Sequence, residues 1–365
     1  MTPLAAPRRP PPPRHDRLDR LWARGRRFLG CELAVMGGAM TWVSERNLVS
    51  AISEAGGFGV LACGSMGPDA LAQEIAATRR LTGRPFGVNL IVMHPELGRL
   101  VDACLDMRVG HVVLAGGLPT GAVMRRLRAG GARVVCFAPS LGVARKLARG
   151  GADALVIEGM EAGGHIGAVS TSVLAQEILP HLGEEGDPPV FVAGGIGHGE
   201  MVAAYLNMGA AGVQMGTAFV CAEESVAHPA FKQAFVRASA RDAVPSVQVD
   251  PAFKVIPVRA IANAGTRGFA DAQVEVIGRF RRGEITQEEA SLAIERYWAG
   301  ALRRAVVEGD VEHGSLMAGQ SVGLVKAIRP AAEILALLVG QAEATLARLE
   351  GGGSGGAVPP ARAVA

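Results

Sequence analysis

The stretch Glu158-Gly159-Met160-Glu161-Ala162-Gly163-Gly164-His165-Ile166-Gly167 places four glycines and one histidine directly behind the apolar run Ala154 to Ile157. Glycine has no Cβ, so backbone amides there can approach a bulky ligand closely, and an imidazole among them can give or take a proton near neutral pH. A strand that opens into such a loop is a common construction for an active site, and it points to an enzyme with a bound cofactor. A glycine-rich turn whose histidine caps nearby backbone is the competing reading. The other motifs weigh against it.

Two further glycine-bearing loops follow apolar runs: Gly194-Gly195-Ile196-Gly197 after Val190 to Ala193, and Gly216-Thr217 after Gly212 to Met215. Their N–H groups and one hydroxyl suit a phosphate dianion, and no lysine-containing P-loop is present. Near the start of the chain, Met36-Gly37-Gly38-Ala39-Met40 and Gly87-Val88-Asn89 again set small residues and an amide at candidate strand ends. A flat ring could lie over them. An isoalloxazine needs close backbone along one face and amide partners for its pyrimidine edge, which Asn89 and Gln214 could supply. Asn89 could equally satisfy local backbone as an ordinary buried polar residue.

These motifs need a scaffold that brings many strand ends together. Apolar runs at Ala34 to Met36, Phe58 to Ala62, Phe86 to Ile91, His111 to Leu114, Val134 to Ala138, Ala154 to Ile157, Val190 to Ala193 and Gly212 to Met215 recur with helical patterns such as Glu45 to Glu54, Pro68 to Leu81 and Leu141 to Arg149 between them. Strands alternating with helices at intervals of roughly 20 to 35 residues describe βα units, and eight of them predict an α/β fold of the (β/α)8 TIM-barrel type. In that fold the site lies at the C-terminal strand ends, with phosphate at the loops after the seventh and eighth strands. A doubly wound sheet is the competitor. Its apparent dinucleotide fingerprint, Gly57-Phe58-Gly59-Val60-Leu61-Ala62, precedes a strand where it should follow one. We read it as a helix C-cap with Gly56 or Gly57 left-handed.

After the eighth unit the rhythm stops: Pro245 to Ile261 reads as extended or irregular chain and Gln287 to Val307 as helix. The expected organisation is a Pro/Arg-rich disordered tail over 1–27, a barrel over 28–240 plus 320–350, an inserted lid or substrate domain over 241–319, and a flexible tail over 351–365. The insert thus falls between strand 8 and the last helix, Ile334 to Leu349. The aromatic pair Tyr297-Trp298 and the segment Val255 to Ile261 suit either a pocket wall or the insert's own core.

Composition narrows the function classes. With 365 residues, 49% hydrophobic and 19% charged, the chain can bury a large core, and a net charge of +3 offers no nucleic-acid footprint. A small-molecule substrate fits better. Five widely spaced cysteines, Cys31, Cys63, Cys104, Cys136 and Cys221, read as reduced thiols of a cytoplasmic protein, with Cys63 and Cys136 as small buried hydrophobes. No apolar stretch reaches the about 18 residues that span a bilayer, and no secretory core is seen.

Glu158-Gly159-x-Glu161-Ala162-Gly163-Gly164-His165, Ala193-Gly194-Gly195-Ile196, Gln214-Met215-Gly216-Thr217 and Met317-Ala318-Gly319-Gln320 occur in this order, and over Leu29 to Val325 the chain resembles the FMN-dependent nitronate monooxygenases. That family, formerly called 2-nitropropane dioxygenases, also includes the flavin-type enoyl-ACP reductases. The resemblance implies FMN held by Asn89, Glu158, Gly163, Gly164, Gly194, Gly195, Gln214, Met215, Gly216 and Thr217, with Gly37 and Gly38 beneath the ring and His165 as catalytic acid or base. It also implies that Met317 and Gln320 return from the insert toward the cofactor, although alone they could form a helix-terminal turn. Similar proteins commonly carry Arg where this chain has Ala218. The implied activity is oxidation of an alkyl nitronate with O2 to a carbonyl compound and nitrite. The alternative is reduction of an enoyl thioester with NAD(P)H as co-substrate, and a lesser one is a non-catalytic flavin-binding barrel. A homodimer is a family-level expectation. His198, His228 and His313 are weaker candidates.

Overall fold

The computed structural model describes residues 16–182, 186–253 and 256–351. Its strands are β1 (Val35–Gly37), β2 (Val60–Ala62), β3 (Gly87–Ile91), β4 (His111–Ala115), β5 (Arg133–Phe137), β6 (Ala154–Glu158), β7 (Gly164–His165), β8 (Val190–Ala193), β9 (Gly212–Met215), β10 (Ala243–Pro245) and β11 (Val258–Ile261). Eight of them form one parallel sheet in the order β1-β9-β8-β6-β5-β4-β3-β2. Their apolar runs are buried on both faces, as a parallel sheet wrapped in helices requires. Closure between β1 and β2 comes from Phe58: its N–H donates to Val35 O at 2.9 Å and its carbonyl accepts from Gly37 N at 2.8 Å. The result is the expected (β/α)8 barrel.

The helices form where the sequence marks them. Glu45 accepts from the Asn47 and Leu48 amides to start Arg46–Glu54, and Gly56, with φ at +89°, ends that helix by freeing the chain to enter β2. This settles the apparent dinucleotide fingerprint as a C-cap. Pro68–Leu81 carries proline in its first turn, where the missing N–H is harmless. The last helix, Ala331–Gly351, docks on Gly199–Asn207, with the Gln341 carboxamide accepting from Gly199 N at 2.9 Å.

The expectation of a disordered tail over 1–27 is corrected for its second half. Residues Asp16–Leu21 and Ala23–Leu29 are helical, and Leu18, Trp22 and Leu29 are among the most buried side chains of the molecule. Arg and Pro dominate the composition there, but Leu18, Leu21 and Trp22 recur at helical spacing and supply an apolar stripe. The second helix closes one end of the barrel: a Cβ on Gly25 would sit 2.0 Å from Ala211 O, so glycine alone allows this approach. His111, at the start of β4, shares a 2.9 Å hydrogen bond with Phe28 O and meets Phe28 and Phe58 edge-on. Burial pushes its pKa down to about 4, so a neutral ring donates that bond at physiological pH. Residues 1–15 and 352–365 lie outside the described residues, and Gly351 ends the last helix.

Beyond β9 the chain builds a second cluster. β10 and β11 pair antiparallel, and β11 pairs antiparallel with β7, the two-residue strand inside the glycine loop. Helices Ala264–Arg281 and Gln287–Glu308 pack on them around Phe253, Val258, Phe269, Ile277, Ile294 and Trp298. The first of these helices was not expected from the sequence, because glycines at 265, 268 and 278 interrupt its apolar pattern. Asn263 and Thr266 start it with a reciprocal capping box. Trp298 is 2% exposed and the Tyr297 hydroxyl donates to Gly265 O at 2.7 Å, so this pair is core and not pocket wall. Val255 lies outside the described residues.

Replacing Trp22 with Ala is expected to destabilise the protein by about 3 to 5 kcal/mol, the cost of truncating a fully buried aromatic side chain. Urea unfolding followed by circular dichroism measures this. A change within 0.5 kcal/mol would show that the first helices are dispensable appendages.

Candidate active site

Strand register brings the polar strand-end residues together. Glu158 pairs with Ala193, Ala193 with Gln214, and Gln214 with Met36, so one rung runs across β6, β8, β9 and β1. Across the barrel Asn89 pairs with Ala62 and Val113, and its carboxamide donates to Val113 O at 3.1 Å. That leaves the Asn89 oxygen as acceptor. Gln214 is 8% exposed, and its carboxamide has no hydrogen-bond partner among the described residues. Its Nε2 lies 3.6 Å from where a Cβ on Gly38 would stand. A polar ligand edge lying against Gly38 would meet this carboxamide as a ready donor and acceptor. The residues present therefore fit a flat heteroaromatic ring with amide-like edges.

The glycines divide into those the packing demands and those that leave space. A Cβ on Gly37 would sit 2.6 Å from Ile52 Cδ1, so this glycine serves the fit of a helix on the barrel. Gly38, by contrast, would keep ordinary contact distances and lends its N–H to Met215 O at 2.8 Å. Met215 itself is buried core and takes part through its carbonyl. Gly194 and Gly195 have φ of +92° and +73°, which turn consecutive amides out of β8 at a cost that only glycine escapes. Gly216 precedes the short helix Thr217–Val220, and the Thr217 hydroxyl accepts from Gly319 N at 3.0 Å.

That last bond belongs to a set that fastens the Met317–Gln320 segment to the histidine loop. Gln320 N donates to Glu161 O at 2.9 Å, and Met317 bridges Ala260 of β11. A Cβ on Gly163 would stand 2.5 Å from Gly319 N, so the two backbones touch directly. Met317 and Gln320 thus lie against β11 and the histidine loop. His165 lies in β7 opposite Val258, solvent-exposed, and Ile166 N donates to Pro257 O at 2.9 Å. Glu158, at the end of β6, has its pKa pushed up to about 8 by desolvation. It is mostly protonated at neutral pH and can donate a hydrogen bond to a ligand carbonyl.

Glu161, Thr171 and Arg259, outside the sequence-based set, shape the loop. Glu161 accepts from Thr171 N and from its hydroxyl, each at 2.8 Å, and so fixes the loop to the helix Thr171–Ile178. Arg259 of β11 is 2% exposed and donates from Nε to Met160 O at 2.9 Å. An arginine inside the apolar run Val258 to Ile261 was the signal that could have exposed it. A cavity of about 380 Å³ adjoins the site, bordered by Glu161, Gly195, Ser239, Gln320 and Leu324. The other histidines do structural work: His198 and His228 accept from the amides of Glu200 and Ala230 as N-caps, and exposed His313 faces Asp310 at 3.4 Å. Burial pushes the Cys63 and Cys136 thiols up to about 12, which removes them as nucleophiles.

The nitronate monooxygenase family model matches residues 26–103 and 97–341, a span that holds every one of these elements. The chain belongs to that family. Among its relatives is the (3aS,4S,5R,7aS)-5-hydroxy-7a-methyl-1-oxo-octahydro-1H-indene-4-carboxyl-CoA dehydrogenase of Mycobacterium tuberculosis, 32% identical over 341 residues, with 86% of this chain and 93% of the relative covered. A nitronate monooxygenase of Paraburkholderia phytofirmans is 28% identical over 356 residues, covering 85% of this chain and 92% of the relative. The structure of FabK from Thermotoga maritima superposes with a TM-score of 0.80 at 37% identity, covering 90% of this chain and 98% of that one. Family members are oxidoreductases, so the protein is an enzyme of that class.

Gly163→Ala is expected to displace the Gly319 backbone and with it the Thr217 contact, raising amide hydrogen exchange over residues 317–320. Unchanged exchange would show that this backbone contact does not hold the segment in place. Glu158 gives a pH signature. Its carboxyl ionises near 4.5 when unfolded and near 8 when folded, so the unfolded chain sheds its proton first and the apoprotein loses stability as pH rises between those values. Chemical denaturation across pH 4 to 9 should show this slope, and Glu158→Gln should flatten it.

Proposed function

We propose that the protein is an FMN-dependent oxidoreductase acting at the Cα–Cβ bond of an acyl thioester. The observation that carries this is the placement of His165: an exposed imidazole held by pairing with β11 in the loop that follows β6, on a barrel whose strands β3 and β9 carry amide groups suited to a flavin edge. FMN, when bound, supplies two-electron redox chemistry. Asn89 and Gln214 would hold its pyrimidine edge, Gly38 would lie beneath the ring, and the amides of Gly194, Gly195, Gly216 and Thr217 would face its phosphate. Gly163, Gly164, Met317 and Gln320 form the wall on the insert side. The protonated Glu158 carboxyl orients a carbonyl by donating to it.

In the reductive direction the substrate β-carbon accepts a hydride and His165 delivers the proton to the α-carbon, with NAD(P)H as the reductant that balances the reaction. In the oxidative direction His165 removes the α-proton as the β-hydride departs, with NAD(P)+ as the oxidant that balances the reaction. The choice of a thioester is supported by the carboxyl-CoA dehydrogenase likeness and by FabK, a flavin enoyl-ACP reductase. The family description and the Paraburkholderia relative favour a second reading, oxidation of an alkyl nitronate with O2 to a carbonyl compound and nitrite. There His165 would orient the anion.

His165→Gln is expected to keep the yellow flavin spectrum and to slow turnover about 10² to 10⁴-fold, the usual contribution of a general acid or base. Stopped-flow mixing separates the substrates. Flavin bleaching by a nicotinamide with reoxidation by an enoyl thioester, or bleaching by a saturated acyl thioester, supports the thioester reading. Bleaching by neither, with nitronate-dependent oxygen uptake and nitrite release, replaces it with the second.

A further inference from the structure

We propose that Arg259 is a positioning residue that holds the histidine loop in its working geometry, a role that rests on the reading of His165 as the proton-transferring group. Arg259 sits in β11 directly opposite Gly164, one residue from His165. Its Nε–H donates to Met160 O at 2.9 Å, and a terminal guanidinium nitrogen donates to Ala243 O in β10 at 2.6 Å. One planar group thus joins the start of the glycine loop to the far strand of the small sheet.

Burying a guanidinium among main-chain carbonyls is a costly way to fill space. The fold alone does not call for it, since an apolar side chain in β11 would pair with β7 through the same backbone. Glu161 supplies the attracting negative charge, but its carboxylate is already engaged by the Thr171 amide and hydroxyl. What the arginine adds is constraint. The loop carries glycine at 159, 163, 164 and 167, so its own backbone resists displacement poorly, and the fork fixes Met160 at the opposite end of the loop from the β7 pairing. With Met160 and Gly164 both held, the segment that ends in His165 cannot slide along β11.

The test is a double-substitution cycle on the FMN-loaded enzyme. Arg259→Met and Arg259→Lys are compared with native protein and with His165→Gln, recording flavin absorbance, kcat, KM and hydrogen exchange over residues 159–166. Arg259→Met is expected to keep FMN and KM, lower kcat about 100-fold through misplacement of roughly 1 Å, and raise exchange in the loop. Arg259→Lys, which keeps the charge and one donor, should recover part of the loss. In a His165→Gln background the same Arg259→Met change should cost less than threefold. An undiminished cost there, a rise in KM alone, or loss of FMN from both Arg259 variants would overturn the proposal. Full turnover by His165→Gln alone would overturn the functional reading, while loop exchange in Arg259→Met would still decide whether the arginine fixes the loop.

Discussion

Two residues of strand, Gly164 and His165, bind the molecule's two halves into one working unit. A glycine-rich loop at the mouth of a barrel has little conformational preference of its own, and ordering it costs more backbone entropy than ordering a glycine-free loop of that length. Pairing with β11 offsets that cost. The same loop then accepts Gln320 on its inner side and packs backbone to backbone against Gly319. The barrel supplies strand ends, but the geometry of the histidine is set by chain that folds outside the barrel.

Electrostatics inside this arrangement follow from burial. Glu158 stands without a cationic neighbour, so desolvation holds its proton, and the strand end offers a donor where a carboxylate would repel an anionic cofactor edge. His111, at the other end of the barrel, is kept neutral by the same effect acting on a base. One group gains a proton and the other loses one, and both changes avoid an uncompensated charge in a low-dielectric interior. Arg259 cannot take that escape and keeps its charge, which is why its surroundings are all acceptors.

The barrel was legible because parallel strands buried on both faces read as unbroken apolar runs, and Gly56 could be recognised as a helix stop from its place before a strand. The glycine pairs and the amides at strand ends were legible for the same reason, since the fold maps strand ends onto one face. What stayed hidden depends on distant partners. β7 is a strand only because β11 lies beside it, and nothing in Gly164-His165 signals a strand locally. Arg259 gains meaning only from Met160 and Ala243. Trp22 was obscured by arginines and prolines around it, although its spacing from Leu18 was the cue to a buried helix face.

The pairing of residue 165 with residue 258, and of 161 with 320, also fixes when during synthesis the enzyme can become active. The ribosome will have released six barrel strands while the histidine loop still lacks every partner that orders it. At translation rates of about 5 to 20 residues per second, the gap to residue 320 lasts on the order of ten seconds. For that interval the histidine loop lacks its strand partner, so its working geometry is completed only on a nearly finished chain.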